Sequence, residues 1–327
     1  PDIISLSGGM PDVSLLPQRA IQKAVHAAIT DERAVALQYG STNGRLETRQ
    51  ALCDIMRDIG VRVKPEEMLL TSGAQQALNL LGETFLDKGD IVLVEGPTYL
   101  TALSAFNAYE PEIHSVPFDD EGMRMDLLEE ELKRIGKGNK RLKMLYTIPN
   151  FQNPGGVTMT GERRKRLIEL SHEYDFMIIE DDPYGELRFK GSKLPYIGAG
   201  KLAHSVIHGS FSKTVTPGMR LGFMLTQDDE LMQHLITAKQ SSDLHTNIFS
   251  QYMIYDYLAH NEYQQHVDKI VALYKEQSDA MLAAIKEYFP ANVKYTEPEG
   301  GMFIWATMPE GLKAVDVMEA AAKKGVA

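Results

Sequence analysis

Short apolar runs alternate with longer amphipathic stretches through the middle of the chain, and this alternation limits the fold more than any other feature of the sequence. The apolar runs predict seven strands: Met68–Thr71, Asp90–Glu95, Glu112–Pro117, Lys143–Ile148, Phe176–Asp181, Ser205–Gly209 and Leu221–Thr226. Segments with helical periodicity lie between most of them: Gln75–Asp87, Thr98–Asn107, Asp126–Gly136 and Gly161–Tyr174. Strands that alternate with helices of about 10 to 15 residues indicate βαβ units. We therefore predict an α/β fold with a mostly parallel, seven-stranded sheet covered by helices.

One neighbouring pair of predicted strands lacks room for a crossover helix. It consists of Ser205–Gly209 and Leu221–Thr226, which only a short loop separates. Because a parallel connection needs a dozen or more residues, we expect this pair to be antiparallel or else not adjacent in the sheet.

The two ends of the chain predict a smaller α+β domain. A Gly/Pro-rich start, Gly8-Gly9-Met10-Pro11, precedes a helix at Gln18–Ile29. Near the other end, Glu262–Phe289 predicts one long helix, followed by short strands at Lys294–Glu297 and Met302–Ala306. We expect three parts: an arm at residues 1–30 that belongs to the small domain, a large domain at 31–265, and the rest of the small domain at 266–327.

The composition limits the partners of the chain. Its 327 residues include 34 basic and 45 acidic side chains, with a formal net charge of -11. Because phosphate contacts need a basic surface, we expect no nucleic-acid partner. No apolar run approaches the roughly 20 residues of a membrane helix, so we expect no membrane partner. The single cysteine, Cys53, excludes an intrachain disulfide and favours a reducing, cytoplasmic setting.

Polar or aromatic residues follow five of the predicted strands, at the edge where open α/β sheets bind ligands. The first insertion is Thr71-Ser72-Gly73-Ala74-Gln75, between a strand and a helix. A glycine permits close approach of the backbone, and a helix N-terminus offers N–H groups and a positive dipole end, so this turn suits a phosphate. A plain capped turn is the alternative.

A run of carboxylates, Glu180-Asp181-Asp182, ends another strand and precedes Pro183-Tyr184. Three explanations are open from the residues. The carboxylates could hold a divalent metal, for which oxygen ligands are suitable. One of them could face a cationic ligand while its neighbours point elsewhere, or the run could be a solvated loop.

Two hydroxyls, a lysine and an arginine follow the strand Ser205–Gly209, within Ser210-Phe211-Ser212-Lys213 and Pro217-Gly218-Met219-Arg220. These side chains could bind phosphate, and a lysine with a lowered pKa could attack a carbonyl. An exposed polar loop is the alternative. Two further insertions contain Tyr99 and the turn Asn153-Pro154-Gly155-Gly156, which could equally be a core tyrosine and a structural turn.

Taken together, the five insertions offer an anion cradle, an aromatic face, an amide, a carboxylate and a lysine at one sheet edge. That set suits a flat, phosphorylated, cationic heteroaromatic aldehyde, and pyridoxal 5'-phosphate has this structure. The sequence therefore predicts a pyridoxal-phosphate site and no bound metal.

The order of these motifs resembles the fold-type I pyridoxal-phosphate aminotransferases of class I/II, from about Ser7 to Trp305. The most specific part is Ser210-x-Ser212-Lys213 with the downstream Pro-Gly-x-Arg220. Other stretches are similar to the subgroup of 2-aminoadipate, kynurenine and aromatic or branched-chain aminotransferases: Leu37-Gln38-Tyr39-Gly40, Pro149-Asn150-Phe151-Gln152-Asn153-Pro154, Ala238-Lys239-Gln240, Asp243-Leu244-His245-Thr246 and Glu299-Gly300-Gly301-Met302-Phe303-Ile304-Trp305.

The resemblance implies a role for each matching residue. Lys213 would bind the cofactor covalently and later move the substrate proton. Asp181 would pair with the ring nitrogen and keep it protonated, so that the ring accepts electrons. Tyr184 and Asn153 would hydrogen-bond the phenolate oxygen of the ring, Asn153 would also face the substrate, and Tyr99 would stack on the ring.

The resemblance also implies phosphate contacts, a dimer and a substrate-facing arm. Tyr39 would reach the phosphate of the neighbouring subunit, which implies a homodimer with shared active sites. Gly8 and Gly9 would lie over the substrate. The phosphate would be held by the following residues: Ser72, Gly73, Ala74, Gln75, Ser210, Ser212 and Arg220.

Two departures from the family pattern stand out. Ala74 replaces the Ser or Thr of many relatives, so one hydroxyl is lost from the phosphate loop. The C-terminal arginine that holds the substrate α-carboxylate has no counterpart between Trp305 and Ala327. We therefore expect the working protein to be longer than this sequence.

The resemblance implies an aminotransferase that moves the amino group of an L-amino acid to a 2-oxo acid, with 2-oxoglutarate expected as the acceptor. Two alternatives use the same cofactor. One is the effector domain of a GntR/MocR-like transcription regulator without its DNA-binding domain. The other is a lyase or decarboxylase, since the fold does not choose among reactions.

Overall fold

The computed structural model describes residues 3–6, 8–31, 34–199, 204–261 and 263–327. Its α-helices are α1 Gln18–Thr30, α2 Leu46–Asp58, α3 Ala74–Phe85, α4 Leu100–Asn107, α5 Met125–Ile135, α6 Gly161–Tyr174, α7 Asp229–Asp243, α8 Ile248–His260, α9 Tyr263–Tyr288 and α10 Ala314–Ala322. Its strands are β1 Met68–Thr71, β2 Ile91–Gly96, β3 Glu112–Asp119, β4 Gly122–Met123, β5 Leu142–Thr147, β6 Met177–Asp181, β7 Ser205–Ser210, β8 Gly222–Leu225, β9 Lys294–Tyr295 and β10 Ala306–Thr307.

Eight of these strands form one mixed sheet in the order β1-β8-β7-β6-β5-β2-β3-β4. The strands from β3 through β2, β5 and β6 to β7 are parallel, whereas β8 runs antiparallel to both β7 and β1. Of the two arrangements expected for β7 and β8, the structure shows the adjacent, antiparallel one. The sheet has one strand more than the seven predicted, because β4 folds back on β3 as a two-residue edge strand.

Apolar side chains cover both faces of the sheet, as parallel strands between helices require. Successive residues of β2 alternate between two clusters: Val92 and Val94 pack on one face with α3 and α4, and Ile91 and Leu93 pack on the other with α5 and α6. A third cluster around Leu70 packs β1, β7 and β8 against α2 and α8. With both faces covered, polar ligands can approach the sheet only at its edges.

The helices lie close to their predicted ranges, with shifts of one or two residues at most ends. The predicted long helix Glu262–Phe289 begins on a residue outside the described part of the chain, and the structure describes it as Tyr263–Tyr288. The C-terminal strands are shorter than expected. β9 occupies Lys294–Tyr295, and its partner β10 lies at Ala306–Thr307 rather than at Met302–Ala306.

The N-terminal arm pairs with the C-terminal residues. Ile4 donates its N–H to the Gly325 carbonyl and accepts from the Ala327 N–H, each at 2.9 Å, so that Ile4 and Val326 form a parallel bridge. At the start of the next segment, the Asp12 N–H donates to the Tyr274 hydroxyl of α9 at 3.1 Å. Within the described residues, no helix has the length and apolar character needed to cross a membrane.

Gly300 offers a test of the packing between the C-terminal segment and the sheet. A Cβ at this position would lie 2.3 Å from Cζ of Phe151 and 2.5 Å from the carbonyl oxygen of Leu187. Since the backbone oxygen cannot move aside cheaply, Gly300→Ala should lower the free energy of unfolding by about 1–3 kcal/mol. Urea unfolding followed by circular dichroism measures this change.

The matched control is Gly161, at the start of α6, because nothing lies within 4 Å of the Cβ that alanine would add there. Gly161→Ala should change the free energy of unfolding by less than about 0.5 kcal/mol or raise it slightly. Equal stability of the two variants would contradict the close approach at Gly300.

Candidate active site

The insertions singled out in the sequence meet at one edge of the sheet. The parallel strands β2, β5, β6 and β7 end at this edge, and β1 ends there as well because it has the same direction as β7. Their carboxyl ends are therefore neighbours, and the residues that follow them face a common region.

The turn after β1 forms an anion-binding cradle. Gly73 has a φ of 75° and begins α3, and no side chain caps the helix, so its first N–H groups are left for a ligand. A Cβ at Gly73 would lie 2.7 Å from Nη2 of Arg220, so the guanidinium lies directly over the turn. Gly222 lets the backbone of β8 approach the same turn closely, since a Cβ at Gly222 would lie 3.0 Å from the N atom of Ala74.

Ser72 has a different environment from its neighbours in this turn. Its N–H donates to Oε1 of Gln76 at 2.8 Å, and its hydroxyl donates to Oδ2 of Asp243 at 3.1 Å. The Gly73 N–H donates to the Thr71 carbonyl at 2.9 Å. The donors left for an anion are therefore the backbone N–H groups of Ala74 and Gln75 rather than those of Ser72.

The loop after β7 brings Lys213 close to the N-terminal arm. The Lys213 ammonium group donates a hydrogen bond to the carbonyl oxygen of Gly9. Burial lowers the pKa of Lys213, and the charge of Arg220 lowers it further. The hydroxyls of Ser210 and Ser212 lie 2.8 Å apart in a hydrogen bond at the start of the same loop. Lys213 is thus a half-buried amine with an increased uncharged fraction, which is what nucleophilic attack on a carbonyl needs.

Asp181 is a buried carboxylate, 3% exposed, at the end of β6. The Tyr146 hydroxyl donates to its Oδ2 at 2.7 Å, whereas its Oδ1 has no hydrogen-bond partner. Nδ1 of the fully buried His208 lies 3.4 Å from that Oδ1 without hydrogen-bond geometry. Burial raises the pKa of Asp181, against the opposing effects of His208 and Tyr146. Burial also lowers the pKa of His208, so this imidazole is neutral at pH 7.

The two carboxylates beside Asp181 point to other partners. Glu180 accepts from the Ile197 N–H at 2.9 Å, and Asp182 accepts from Asn150 at 3.1 Å and from the Gly185 N–H at 2.9 Å. Among the described residues, no group of three or more His, Cys, Asp or Glu side chains is arranged to hold a metal. Glu180 and Asp182 thus hydrogen-bond within the protein, and Asp181 is the carboxylate of the run that keeps an unpartnered oxygen.

Aromatic side chains surround the region near Asp181. Tyr184 is buried, and its ring packs edge-on against Phe303 with centroids 5.5 Å apart. Burial raises the pKa of Tyr184, Asp181 and Tyr99 add to the effect, and a hydrogen bond with Asn153 opposes it. The described structure thus brings together Asn153, Tyr184 and Tyr99.

The arm and Tyr39 complete the set of residues singled out in the sequence. Gly9 lies against the Phe303 ring, since a Cβ added at Gly9 would be 3.0 Å from Cζ of Phe303. A Cβ added at Gly8 would have no atom within 4 Å. Tyr39 is 79% exposed and lies on the surface, 5.7 Å from the His245 ring.

Several buried polar residues of this region were missed by the sequence analysis. Tyr146 and His208 lie on the strands that flank β6, and His208 is the register partner of Asp181. The available signal was a polar residue within an otherwise apolar strand. Its direction, toward Asp181, depends on strand order and register, which the sequence pattern leaves open.

The chain was compared with known families, and a sequence profile described as "Aminotransferase class I and II" matches residues 1–327. The chain belongs to the class I and II aminotransferases. An aromatic-amino-acid aminotransferase from Thermococcus litoralis is 47% identical over all of this chain and 78% of the relative. A 2-aminoadipate transaminase from Thermus thermophilus is 39% identical over all of this chain and 80% of the relative.

The solved structures include a Pyrococcus horikoshii kynurenine aminotransferase in complex with PMP. That structure is 45% identical to this chain and superposes on it with a TM-score of 0.95. The match covers all of this chain and 81% of the other. This aminotransferase is therefore an enzyme of the pyridoxal-phosphate-dependent fold, and its cofactor is pyridoxal 5'-phosphate. The residues fit that group, because the site pairs an unpartnered buried carboxylate oxygen on Asp181 with an uncapped helix N-terminus below Arg220.

Glu95, at the end of β2, connects two of the loops that form the site. Its carboxylate accepts from the Ile148 N–H at 3.0 Å and from the Thr147 hydroxyl at 3.0 Å. Gln152 donates to Glu95 at 3.3 Å and to the Pro97 carbonyl at 2.9 Å. Burial raises the pKa of Glu95 to about 7 against these hydrogen bonds.

This pKa makes the stability of the aminotransferase depend on pH. Since the folded state binds the Glu95 proton more tightly than the unfolded state, the stabilisation is complete below pH 4.5 and is lost as the pH rises through about 7. Between pH 5 and pH 8 the wild type should lose roughly 2 kcal/mol more unfolding free energy than Glu95→Gln. Parallel urea unfolding curves at both pH values measure the difference, and parallel losses in the two proteins would contradict a protonated Glu95.

Proposed function

We propose that this aminotransferase moves the amino group of an aromatic, kynurenine-like or 2-aminoadipate-like L-amino acid, or of a branched-chain one, to a 2-oxo acid such as 2-oxoglutarate. The observation that carries the proposal is the unpartnered Oδ1 of Asp181, a buried acceptor at the edge that also holds Lys213. The names of the similar proteins support the class of donor. The working compartment in this proposal is the cytoplasm.

Lys213 is the proposed catalytic base and covalent anchor. When bound, pyridoxal phosphate supplies an aldehyde for the amino group and a protonated ring that accepts the electron pair from the substrate Cα. The lowered pKa of Lys213 leaves a fraction of its amine uncharged, and that amine would take the proton from the substrate Cα and deliver it to C4′, the carbon of the cofactor aldehyde. The Gly9 carbonyl orients Nζ for this transfer.

Asp181 holds a proton on the ring nitrogen of the cofactor in this proposal. The Tyr146 hydrogen bond occupies Oδ2, so the unpartnered Oδ1 is the oxygen that would accept from the protonated ring nitrogen. His208 beside it is uncharged and supplies no competing positive charge. Because the carboxylate is buried, its interaction with a cationic ring is stronger than it would be in water.

The remaining cofactor contacts divide into two groups. Tyr184 and Asn153 bind the phenolate oxygen of the ring, and Asn153 also faces the substrate, while Tyr99 stacks on the ring. The phosphate would be held at the α3 N-terminus by the backbone N–H groups of Ala74 and Gln75 and by the side chains of Ser210, Ser212 and Arg220. Gly73, whose own N–H donates to the Thr71 carbonyl, would let the phosphate approach the backbone closely. Ser72 supports this cradle indirectly, since its donors are used within the protein.

The chain divides, in this proposal, into a large cofactor-binding domain at residues 31–265 and a small domain formed by 1–30 and 266–327. The pairing of Ile4 with Val326 and the bond from Asp12 to Tyr274 support the assignment of the arm to the small domain. Gly8 and Gly9 then lie over the substrate, with Gly9 joined to the large domain through Lys213.

A half-reaction tests the proposed function. Addition of 2-aminoadipate, kynurenine, phenylalanine or leucine to the purified holoenzyme should convert bound pyridoxal phosphate to pyridoxamine phosphate, which chromatography of the released cofactor quantifies. Lys213→Ala should lower the rate by several orders of magnitude, because the base and the anchor are lost together. Borohydride reduction and peptide mass spectrometry should find the cofactor on Lys213 of the wild type and on no peptide of the variant.

Conservative Lys213→Arg is the companion variant, since it keeps the charge but not the nucleophilic amine. It should behave like Lys213→Ala in both measurements. The absence of pyridoxamine phosphate with every amino acid of the panel, or a labelled peptide without Lys213, would refute the proposal.

A homodimer with shared sites is the proposed assembly. Tyr39 is exposed on the surface together with apolar neighbours such as Leu37 and Leu244, which is unusual for side chains that face water. Tyr39 donates its hydroxyl, in this proposal, to the phosphate bound by the partner subunit.

Tyr39→Phe removes only that hydroxyl and should weaken the binding of pyridoxamine phosphate several-fold, as expected for the loss of a hydrogen bond to a charged group. Calorimetric titration of the cofactor-free enzyme measures the affinity, and sedimentation should find dimers for the wild type and the variant. Tyr288→Phe, on another exposed tyrosine at the end of α9, should leave the affinity unchanged. A monomeric wild type with full cofactor affinity would exclude the shared site.

A further inference from the structure

A buried charge cluster lies directly behind the phosphate turn and has no role in the proposed chemistry. Its centre is Lys239 of α7, which is fully buried with 0% exposure. The Lys239 ammonium group donates to Oε1 of Gln76 at 2.7 Å and to Asp243 at 2.8 Å from Oδ1 and 3.0 Å from Oδ2. Among the described residues these two side chains provide all the hydrogen bonds that the ammonium group makes.

The cluster continues from Lys239 to the backbone of the phosphate turn. Gln76 donates from Nε2 to Oδ2 of Asp243 at 2.7 Å, so the two acceptors of the lysine are also joined to each other. Through its Oε1, Gln76 accepts the Ser72 N–H, and through its Oδ2, Asp243 accepts the Ser72 hydroxyl. One ammonium group thus orients two side chains, and these hold both donors of Ser72.

Stability does not account for a lysine in this position. Removing an ammonium group and a carboxylate from water costs free energy that their attraction repays only in part, and apolar residues of similar volume often serve at least as well. Burial lowers the pKa of Lys239, and Asp243 opposes this shift through its hydrogen bond and charge. We therefore look for a role of the Lys239–Asp243 pair in the groups that it orients.

The geometry of the turn supplies that explanation. Gly73 follows Ser72 at a positive φ, and the N–H groups of the first turn of α3 begin one residue later. A small rotation at Ser72 would redirect these N–H groups and change the distance between Gly73 and Arg220, which lie almost in contact. Hydrogen bonds to an anion weaken steeply with misalignment, so the turn must be held from behind.

We propose that Lys239 is a positioning residue for the cofactor phosphate, acting through Gln76 and Asp243 on Ser72 and so on the N-terminus of α3. The inference rests on the proposed assignment of that helix N-terminus and Arg220 as the phosphate site. Lys239 itself does not touch the phosphate. Its effect is selective for ligands that carry one.

The test compares two ligands on the full chain freed of cofactor. Pyridoxamine phosphate carries the phosphate and binds without a covalent bond, and pyridoxamine is the same molecule without the phosphate. Lys239→Met should weaken the binding of pyridoxamine phosphate by about 10- to 100-fold. A loss of this size is found when a residue that orients a metal ligand is removed. Pyridoxamine, measured by competition calorimetry, should bind within about twofold of the wild type. Gln240→Met, at the exposed next position of α7, should match the wild type with both ligands.

A double variant separates positioning from folding. Lys239→Met leaves the partly buried Asp243 carboxylate, 27% exposed, without its cationic partner, whereas Lys239→Met with Asp243→Leu removes both charges and should restore the thermal stability of the fold. The selective loss of pyridoxamine phosphate affinity should persist in the double variant. Wild-type affinity in the double variant, or equal losses for both ligands, would overturn the proposal.

Ser72→Ala is a milder variant that decides the matter if either charge variant fails to fold. It removes the hydroxyl bond to Asp243 and keeps the ion pair, so it should give a smaller loss that is again confined to pyridoxamine phosphate. An unchanged affinity in Ser72→Ala would contradict the coupling between the cluster and the turn.

Arg220→Met distinguishes this inference from the proposed function beneath it. If Arg220→Met does not weaken the binding of pyridoxamine phosphate relative to pyridoxamine, the assignment of the phosphate site is wrong and the proposed role of Lys239 fails with it. If Arg220→Met weakens it and Lys239→Met does not, only the role of Lys239 is refuted.

Discussion

The burial of carboxylates at the end of β6 is the constraint on which the rest of the site depends. Glu180 and Asp181 are buried and the adjacent Asp182 is partly buried, so each carboxylate needs hydrogen-bond or charge partners within the protein. Each turns to a different partner, and Arg164 lies 3.9 Å from Glu180 while it also donates to Asn150. This compensation joins β6 to the loops on either side and leaves one oxygen of the central carboxylate for a ligand.

The same principle recurs in two other parts of the site, where a buried ionisable side chain holds a segment of backbone that has no charged side chain of its own. Glu95 ties the end of β2 to Gln152 and so to the loop that contains Asn153. Lys239 ties α7 to the turn that begins α3. In each case the group that would touch the cofactor lies on an irregular segment, and a buried polar network behind it limits the freedom of that segment.

Much of the fold and of the site was predictable from the sequence. Apolar runs such as Ile91-Val92-Leu93-Val94 are buried on both faces only between two layers of helices. The polar motifs at the carboxyl ends of these runs predicted the edge of the sheet where a ligand binds. Lys213, Asp181 and Arg220 were predicted in this way, and the structure places all three at that edge. The resemblance implied Ser72 among the phosphate-binding residues, whereas the structure shows both of its donors bonded within the protein. Sequence neighbours in a turn can point in opposite directions, and a pattern does not reveal which.

The sequence by itself determined the class of fold, the edge of the sheet where a ligand binds and the chemical groups available there, because these follow from periodicity and from the order of motifs along the chain. Only the tertiary structure decided which buried groups meet. Tyr146, His208 and Asp181 come from three strands, and Lys239 is 163 positions from Gln76. Their contacts depend on strand order, register and helix packing, which arise from the interactions of the whole chain rather than from any local stretch of it.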